Sequence, residues 1–223
     1  MKFRILLGAV ASVALFASAA AAQVCQGDLS FRGSPKHIGG ALGFSDHTTA
    51  LGGGMTFGHV QGLYGGGSVG MVDFDAPFGS GLELGGGVGY SMPLSHRSKW
   101  QMCPGATLAL GFGPSADLGG TTVHLSSQSL NGGVSFGTTM PLNKDVTLLP
   151  YGAAGVTHTN VKASAGGQSA SSSDTYMTLG FGAGFQFSPR FVLRPGIAVN
   201  VGADEGIADQ TVFTLSATFA LPR

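Results

Sequence analysis

Between Thr178 and Arg190 the chain reads TLGFGAGFQFSPR, with Leu179, Phe181, Ala183, Phe185 and Phe187 alternating with Gly and Gln. A period of two is the signature of a β-strand with one apolar and one small or polar face. The same period recurs along the chain and predicts about ten strands, near 37–45, 48–58, 63–74, 81–92, 100–113, 128–141, 146–161, 175–187, 191–203 and 210–221. The fifth carries one continuous apolar face through Trp100, Met102, Pro104, Ala106, Leu108, Leu110 and Phe112. The ninth does so through Phe191, Leu193, Pro195, Ile197, Val199 and Val201, and the tenth through Phe213, Leu215, Ala217, Phe219 and Leu221. The second and third are Gly-rich, and their pattern leaves the register open.

The segments between these strands alternate in kind. SMPLSHRSK, TMPLNKD and FSPR are short and hold Pro, Asn and Ser turn formers. DFDAPFGSG, GPSADLGGTT, KASAGGQSASSSD and ADEGIAD lie on the other side, and they read as longer loops rich in Gly, Ser and Ala. The Ala163–Asp174 stretch has neither alternation nor enough apolar surface to order itself, which makes it the expected site of external proteolysis. An internal repeat supports hairpins as the building unit: WQMCPGATLALGFG, VTLLPYGAAGVTHT and FVLRPGIAVNVGAD each place a proline at the fifth position. Pro104, Pro150 and Pro195 are thus expected near strand starts or bulges, where a missing N–H does least harm.

The N-terminus sets the compartment. Lys2 and Arg4, the apolar run ILLGAVASVALF and the small residues ASAAAA form a secretory signal peptide over residues 1–22, so the mature chain is expected to begin at Gln23. Beyond it, no run of 18 apolar residues offers a transmembrane helix. The whole chain has 39 Gly, only 10% charged residues and a mean hydropathy of +0.28. Apolar alternation opposite a glycine face is unusual for a soluble strand, which glycine weakens. It suits a strand with lipid on one side and a lumen on the other, in a sheet closed so that no edge meets lipid.

Charge gives an independent check. Without the two signal-peptide cations the mature chain has 11 − 2 = 9 Lys plus Arg against 11 acids. Arg32, Lys36, Arg97, Lys99, Lys144, Arg190, Arg194 and Arg223 fall on the terminal, short-turn side, whereas Asp46, Asp73, Asp75, Asp117, Asp174, Asp204, Glu205 and Asp209 fall on the long-loop side with Lys162. One rim is basic and the other acidic, with Asp28, Glu83 and Asp145 elsewhere.

Over residues 37–221 the chain resembles the small Gram-negative outer-membrane β-barrels, the broad OmpA-like and OmpX-like class. The resemblance lies in architecture and alternation, and it implies an all-β, antiparallel up-and-down transmembrane barrel of about ten strands, with eight as the alternative. It further implies three parts: a signal peptide over 1–22, a periplasmic N-terminal segment over 23–36 and an outer-membrane barrel over 37–223. The expected partners are outer-membrane lipids, lipopolysaccharide and the barrel-assembly machinery. One departure is the C-terminus, where Ala220, Leu221, Pro222 and Arg223 follow the last aromatic, Phe219.

Candidate chemistry is sparse. The histidines His37, His47, His59, His96, His124 and His158 form no HxH or HExxH pattern, and no metal or cofactor is expected. His124 and Ser126 invite comparison with lipid A deacylases, but the following Ser-Gln-Ser-Leu-Asn does not match that motif. His158 and Asp174 are one candidate pair for an omptin-like protease, without a second pair beside them. The Gly runs at 51–54 and 84–89 have no helix after them to make a phosphate loop, and a mature charge of 9 − 11 = −2 gives no basis for nucleic-acid binding.

No catalytic residue is therefore expected. Tyr90, Trp100, Phe185, Phe187 and Phe191 are expected to form an aromatic girdle on the periplasmic side. Glu83 and Arg194 are the expected lumen charges, among inward positions that otherwise read as Gly, Ala, Ser, Thr, Asn or Gln. In an oxidising compartment the only two cysteines, Cys25 and Cys103, are expected to pair, which draws residues 23–36 against the periplasmic mouth. The expected function is a structural or surface-interaction role through external loops. The alternatives are a narrow, porin-like passive channel for small solutes and, third, a membrane-embedded lipid A-modifying hydrolase.

Overall fold

The computed structural model describes residues 24–46, 48–74, 79–95, 99–118, 121–202 and 211–222. The signal peptide, Gln23, His47, His96, Asp75, Arg97, Asp204, Glu205, Asp209 and Arg223 lie outside the described residues. The described chain forms ten long antiparallel strands: β1 (Lys36–Phe44), β2 (Thr48–Gly58), β3 (Gly62–Phe74), β4 (Ser80–Pro93), β5 (Gln101–Leu118), β6 (Thr121–Gly137), β7 (Thr147–Ala165), β8 (Gln168–Ser188), β9 (Phe191–Val201) and β10 (Thr211–Ala220). A two-residue pairing, Met140–Pro141 with Thr147 and Leu148, tightens the β6–β7 turn. Every strand pairs with its sequence neighbour, and β1 pairs with β10, from His37↔Ala220 to Phe44↔Phe213. This last ladder closes the sheet into a ten-stranded barrel and leaves no edge at membrane depth, where an unpaired N–H or C=O would cost several kcal/mol.

Alternation sets the two faces. Leu51, Met55, Phe57, Leu63, Val69 and Met71 point outward, which settles the register of β2 and β3. The outward faces of β5, β9 and β10 are those read from the sequence. Inside, the middle of the lumen is lined by small residues, and a belt of hydroxyls and amides runs across β6 to β9. Ser129 bonds Thr159 (3.0 Å), Asn131 donates to Thr157 (2.7 Å), Thr157 bonds Thr178 (3.1 Å) and Thr178 donates to Asn200 (2.9 Å). The belt satisfies groups that would be costly if buried alone.

The three prolines sit early in β5, β7 and β9, Pro104 and Pro195 beside gaps in the ladder and Pro150 just past the end of the β6–β7 ladder. No β4–β5 pair forms between Gly89↔Gly105 and Met92↔Met102, beside Pro104, and no β8–β9 pair forms between Leu193↔Phe185 and Gly196↔Gly182, beside Pro195. Pro150 accepts from the Thr138 N–H (3.2 Å) just past the end of β6.

Two segments read as loops are strands instead. GPSADLGGTT lies mostly in β5 and β6, and KASAGGQSASSSD is a paired hairpin, from Lys162↔Ser171 to Ala165↔Gln168. Gly166 and Gly167 make the turn with φ of 57° and 80°, the left-handed pair that a two-residue hairpin needs. Backbone pairing, which leaves no trace in hydropathy, orders this stretch.

Candidate functional site

The terminal end of the lumen is filled by the N-terminal segment. Val24–Gln26 form one 3₁₀ turn, and Gly27, at φ 71°, turns the chain back with its N–H bonded to the Val24 carbonyl (3.0 Å). A Cβ at Gly27 would strike the Tyr151 ring, and one at Gly184 would strike the Gly27 carbonyl, so glycine permits this close approach of segment and wall. Cys25 and Cys103 form a disulfide with Cα atoms 6.0 Å apart, and alternation does turn Cys103 inward. Around it Phe31 and Tyr64 complete one buried cluster. Val24 and Leu29 form a second with Leu149, Val192 and Ala220.

Polar contacts fix the segment. The buried Arg194 guanidinium donates through Nε to Ser216 Oγ (3.0 Å) and through Nη1 to the Gln26 carbonyl (2.8 Å), with Cζ 5.7 Å from the centre of the Tyr151 ring. Asp28 accepts from the Leu29 N–H (2.7 Å) and from Thr218 Oγ1 (2.9 Å). Burial pushes the Asp28 carboxyl above the usual carboxylate range, against the opposing pull of Arg194 and these hydrogen bonds. Gln26 donates to the Tyr64 hydroxyl (3.3 Å), and Phe31 stacks on the buried His37 ring at 4.7 Å. The sequence indicated the tether and Arg194. It did not indicate Asp28, Leu29, Phe31 or the Gln26 carbonyl, since short-range docking contacts have no periodic signal.

At the opposite end the wall continues beyond the lipid-facing band. Outward apolar positions stop at Phe112, Leu130, Val156 and Met177. Above them the outward residues are polar: Ser126, His124 and Thr122 on β6, His158, Asn160 and Lys162 on β7, and Ser171, Ser173 and Thr175 on β8. From Val156 to Ala165, β7 runs about 30 Å along the strand at 3.3 Å per residue. The β9 ladder ends at Val201↔Met177, and β8 continues outward from there in register with β7 as far as Ala165↔Gln168. The inner face of this four-stranded extension, β5 to β8, buries Val123, Leu125, Val161 and Tyr176.

The other sequence candidates fall as follows. Glu83 and Arg194 both face the lumen, at opposite ends. Tyr90, Trp100 and Phe187 are about half exposed on the outer face near the terminal rim. Phe185 and Phe191 are partly covered there, with Phe191 4.7 Å from Phe219 and 6.0 Å from Phe187. His124 and Ser126 lie on the outward face of β6, opposite Ser164 and Lys162. His158 and Asp174 point to opposite faces, so they do not meet; the His158 ring bonds Thr175 Oγ1 (2.8 Å) instead. Among the described residues no three His, Cys, Asp or Glu side chains converge as a metal site.

The profile of the outer membrane protein beta-barrel domain matches residues 8–219. The chain belongs to that family. Its place is therefore the bacterial outer membrane. No curated protein sequence matches the chain. Among solved structures, the barrel is similar to the β domain of the Bordetella autotransporter BrkA, with 14% identity, 83% of this chain and 98% of that one covered, and a TM-score of 0.50. Ail of Yersinia pestis matches at 21% identity, 82% and 95% coverage and a TM-score of 0.40. The outer membrane protease OmpT of Escherichia coli matches at 8%, 86% and 99%, with a TM-score of 0.48.

Proposed function

We propose that this barrel is a non-enzymatic surface-interaction protein. It passes the membrane to present the β5–β8 extension outside the cell, and it keeps its periplasmic mouth shut. The carrying observation is that extension: an ordered, polar-faced sheet projecting past the apolar band, built from the paired outer halves of β5 to β8. A rigid sheet with its outward hydroxyl, amide and imidazole groups already in place needs little ordering to receive a partner. The buried N-terminal segment weighs against the porin-like reading, because Leu29, Phe31 and the disulfide occupy the space a solute would cross. In this reading the cleaved signal peptide delivers the chain, the aromatic side chains near the terminal rim sit at headgroup level, and lipopolysaccharide surrounds the outer extension.

The test shortens the hairpin without touching the barrel. Asn160–Ser173 is replaced by an Asn-Gly turn, which keeps the Thr159↔Asp174 register. Purified full-length mature protein in nanodiscs is presented to lipopolysaccharide. Wild type is expected to bind it saturably, and the short variant about tenfold more weakly or not at all. Both are expected to keep the heat-dependent gel shift of a folded barrel. Equal binding by the two proteins, or no binding by wild type, contradicts the proposal.

A further inference from the structure

The corner where the barrel closes sets two cations beside an exposed aromatic patch. At the terminal rim β10 ends between β9 and β1, and hydrogen bonds continue on both sides of it. The Ala220 N–H donates to the Arg190 carbonyl (2.9 Å) and the Leu221 N–H to the Lys36 carbonyl (3.0 Å). The Lys36 and Arg190 backbones therefore flank the end of β10, about 10 Å apart at two strand spacings. Both residues are exposed. Lys36 is on the outward face, because β1 alternates there from exposed Lys36 to buried His37 to exposed Ile38. Arg190 belongs to the β8–β9 turn on the same rim. Two long, flexible cationic side chains so placed have the reach to meet on one phosphate group.

The next outward row toward the membrane is apolar. Phe191 pairs with Phe219 across β9 and β10, and Phe219 pairs with Ile38 across β10 and β1. The Phe191 ring is 4.7 Å from that of Phe219 and 6.0 Å from that of Phe187. Phe57, the ladder partner of Lys36 on β2, is 58% exposed. The acids of this end do not take up the two cations' field. Asp28 is buried and accepts from Leu29 and Thr218, and Asp145 belongs to the neighbouring β6–β7 turn.

The aromatic patch alone would suit any acyl chain, and the cations alone any anion. Side by side they select a lipid with net negative charge, because each cation near a membrane surface attracts an anionic headgroup and hydrogen-bonds its phosphate with charge assistance. The ammonium of a zwitterionic headgroup would oppose Lys36 and Arg190. With the plug on the periplasmic side, the corner meets the inner leaflet, where the lipids are phospholipids.

We propose that this corner holds one anionic phospholipid of the inner leaflet, its phosphate between Lys36 and Arg190 and its acyl chains over Phe191, Phe219 and Ile38. The site shares only the orientation of the barrel with the proposed surface role, and a barrel without it would still present the extension.

The probes are phosphatidylglycerol and phosphatidylethanolamine with the same acyl chains. Each is titrated into full-length mature protein in mild detergent, and bound lipid is counted by native mass spectrometry. Wild type is expected to retain the first phosphatidylglycerol about tenfold more tightly than phosphatidylethanolamine. Lys36→Gln/Arg190→Gln is expected to bring the two lipids level. Lys99→Gln/Lys144→Gln, which removes the same charge elsewhere on the rim, is expected to keep the preference. Soluble glycerol phosphate at equal concentration is expected to leave the lipid bound. The heat-dependent gel shift checks that each variant is folded. Equal retention of both lipids by wild type, an unchanged preference in folded Lys36→Gln/Arg190→Gln, the same loss in Lys99→Gln/Lys144→Gln, or displacement by glycerol phosphate would overturn the proposal.

Discussion

Asp28 shows how the plug is both held and weakened. It accepts from Thr218, which ties the N-terminal segment to β10, and from the neighbouring Leu29 N–H within the segment, yet its burial disfavours the charged form that accepts both best. The sign of the resulting pH dependence follows from linkage. Because the folded carboxyl titrates above its unfolded value, the folded state holds more protons between the two. Its stabilising contribution is complete below the usual carboxylate range and declines as pH rises through the raised folded value. Acidifying from neutral pH toward the carboxylate range is thus expected to raise the urea midpoint of wild type more than that of Asp28→Asn. A response identical in the two proteins, or a smaller one in wild type, would contradict this account of Asp28.

At the scale of the strand, the sequence was legible where lipid supplies the contrast. Leu179, Phe181, Phe185 and Phe187 alternate with glycines because one face meets hydrocarbon and the other a crowded lumen. The outer halves of β6, β7 and β8 escaped that reading for a physical reason. Beyond Leu130, Val156 and Met177 the outward residues meet water, so both faces become polar, and only sparse inward residues such as Leu125 and Val161 keep the period. The disulfide was legible from compartment and alternation. The Arg194 bond to the Gln26 carbonyl was not, since it depends on which strands stand opposite. The β7–β8 turn is the direct probe of the hairpin. Gly167→Val places a branched side chain at φ 80° and is expected to cost the hairpin about 1–2 kcal/mol. Amide exchange at Lys162 and Ser171 is then expected to accelerate, with β1–β4 unchanged and the barrel still folded. Unaltered protection of that hairpin would show that its order does not depend on the turn.

For the whole molecule, closure operates twice. The β1–β10 ladder closes the wall, and the N-terminal segment closes the mouth with a disulfide spanning 78 residues of sequence. A crosslink over a loop of that length stabilises by roughly 4 kcal/mol in the chain-entropy model, so the plug is not held by packing alone. Among the described residues Arg32, Lys36, Lys99, Lys144, Arg190 and Arg194 lie toward the terminal end, with Asp28 and Asp145, and Asp46, Asp73 and Asp174 lie toward the other, with Lys162, a polarity that fits a plug on the periplasmic side and an extension outside. The central claim is that the protein works on its outer surface and not by conducting solutes. Single-channel recording in planar bilayers tests it most directly, using refolded protein whose Cys25–Cys103 bond has been verified by non-reducing peptide mapping. The account predicts a silent membrane across the applied voltages; reproducible unitary current steps from the oxidised wild type would contradict it.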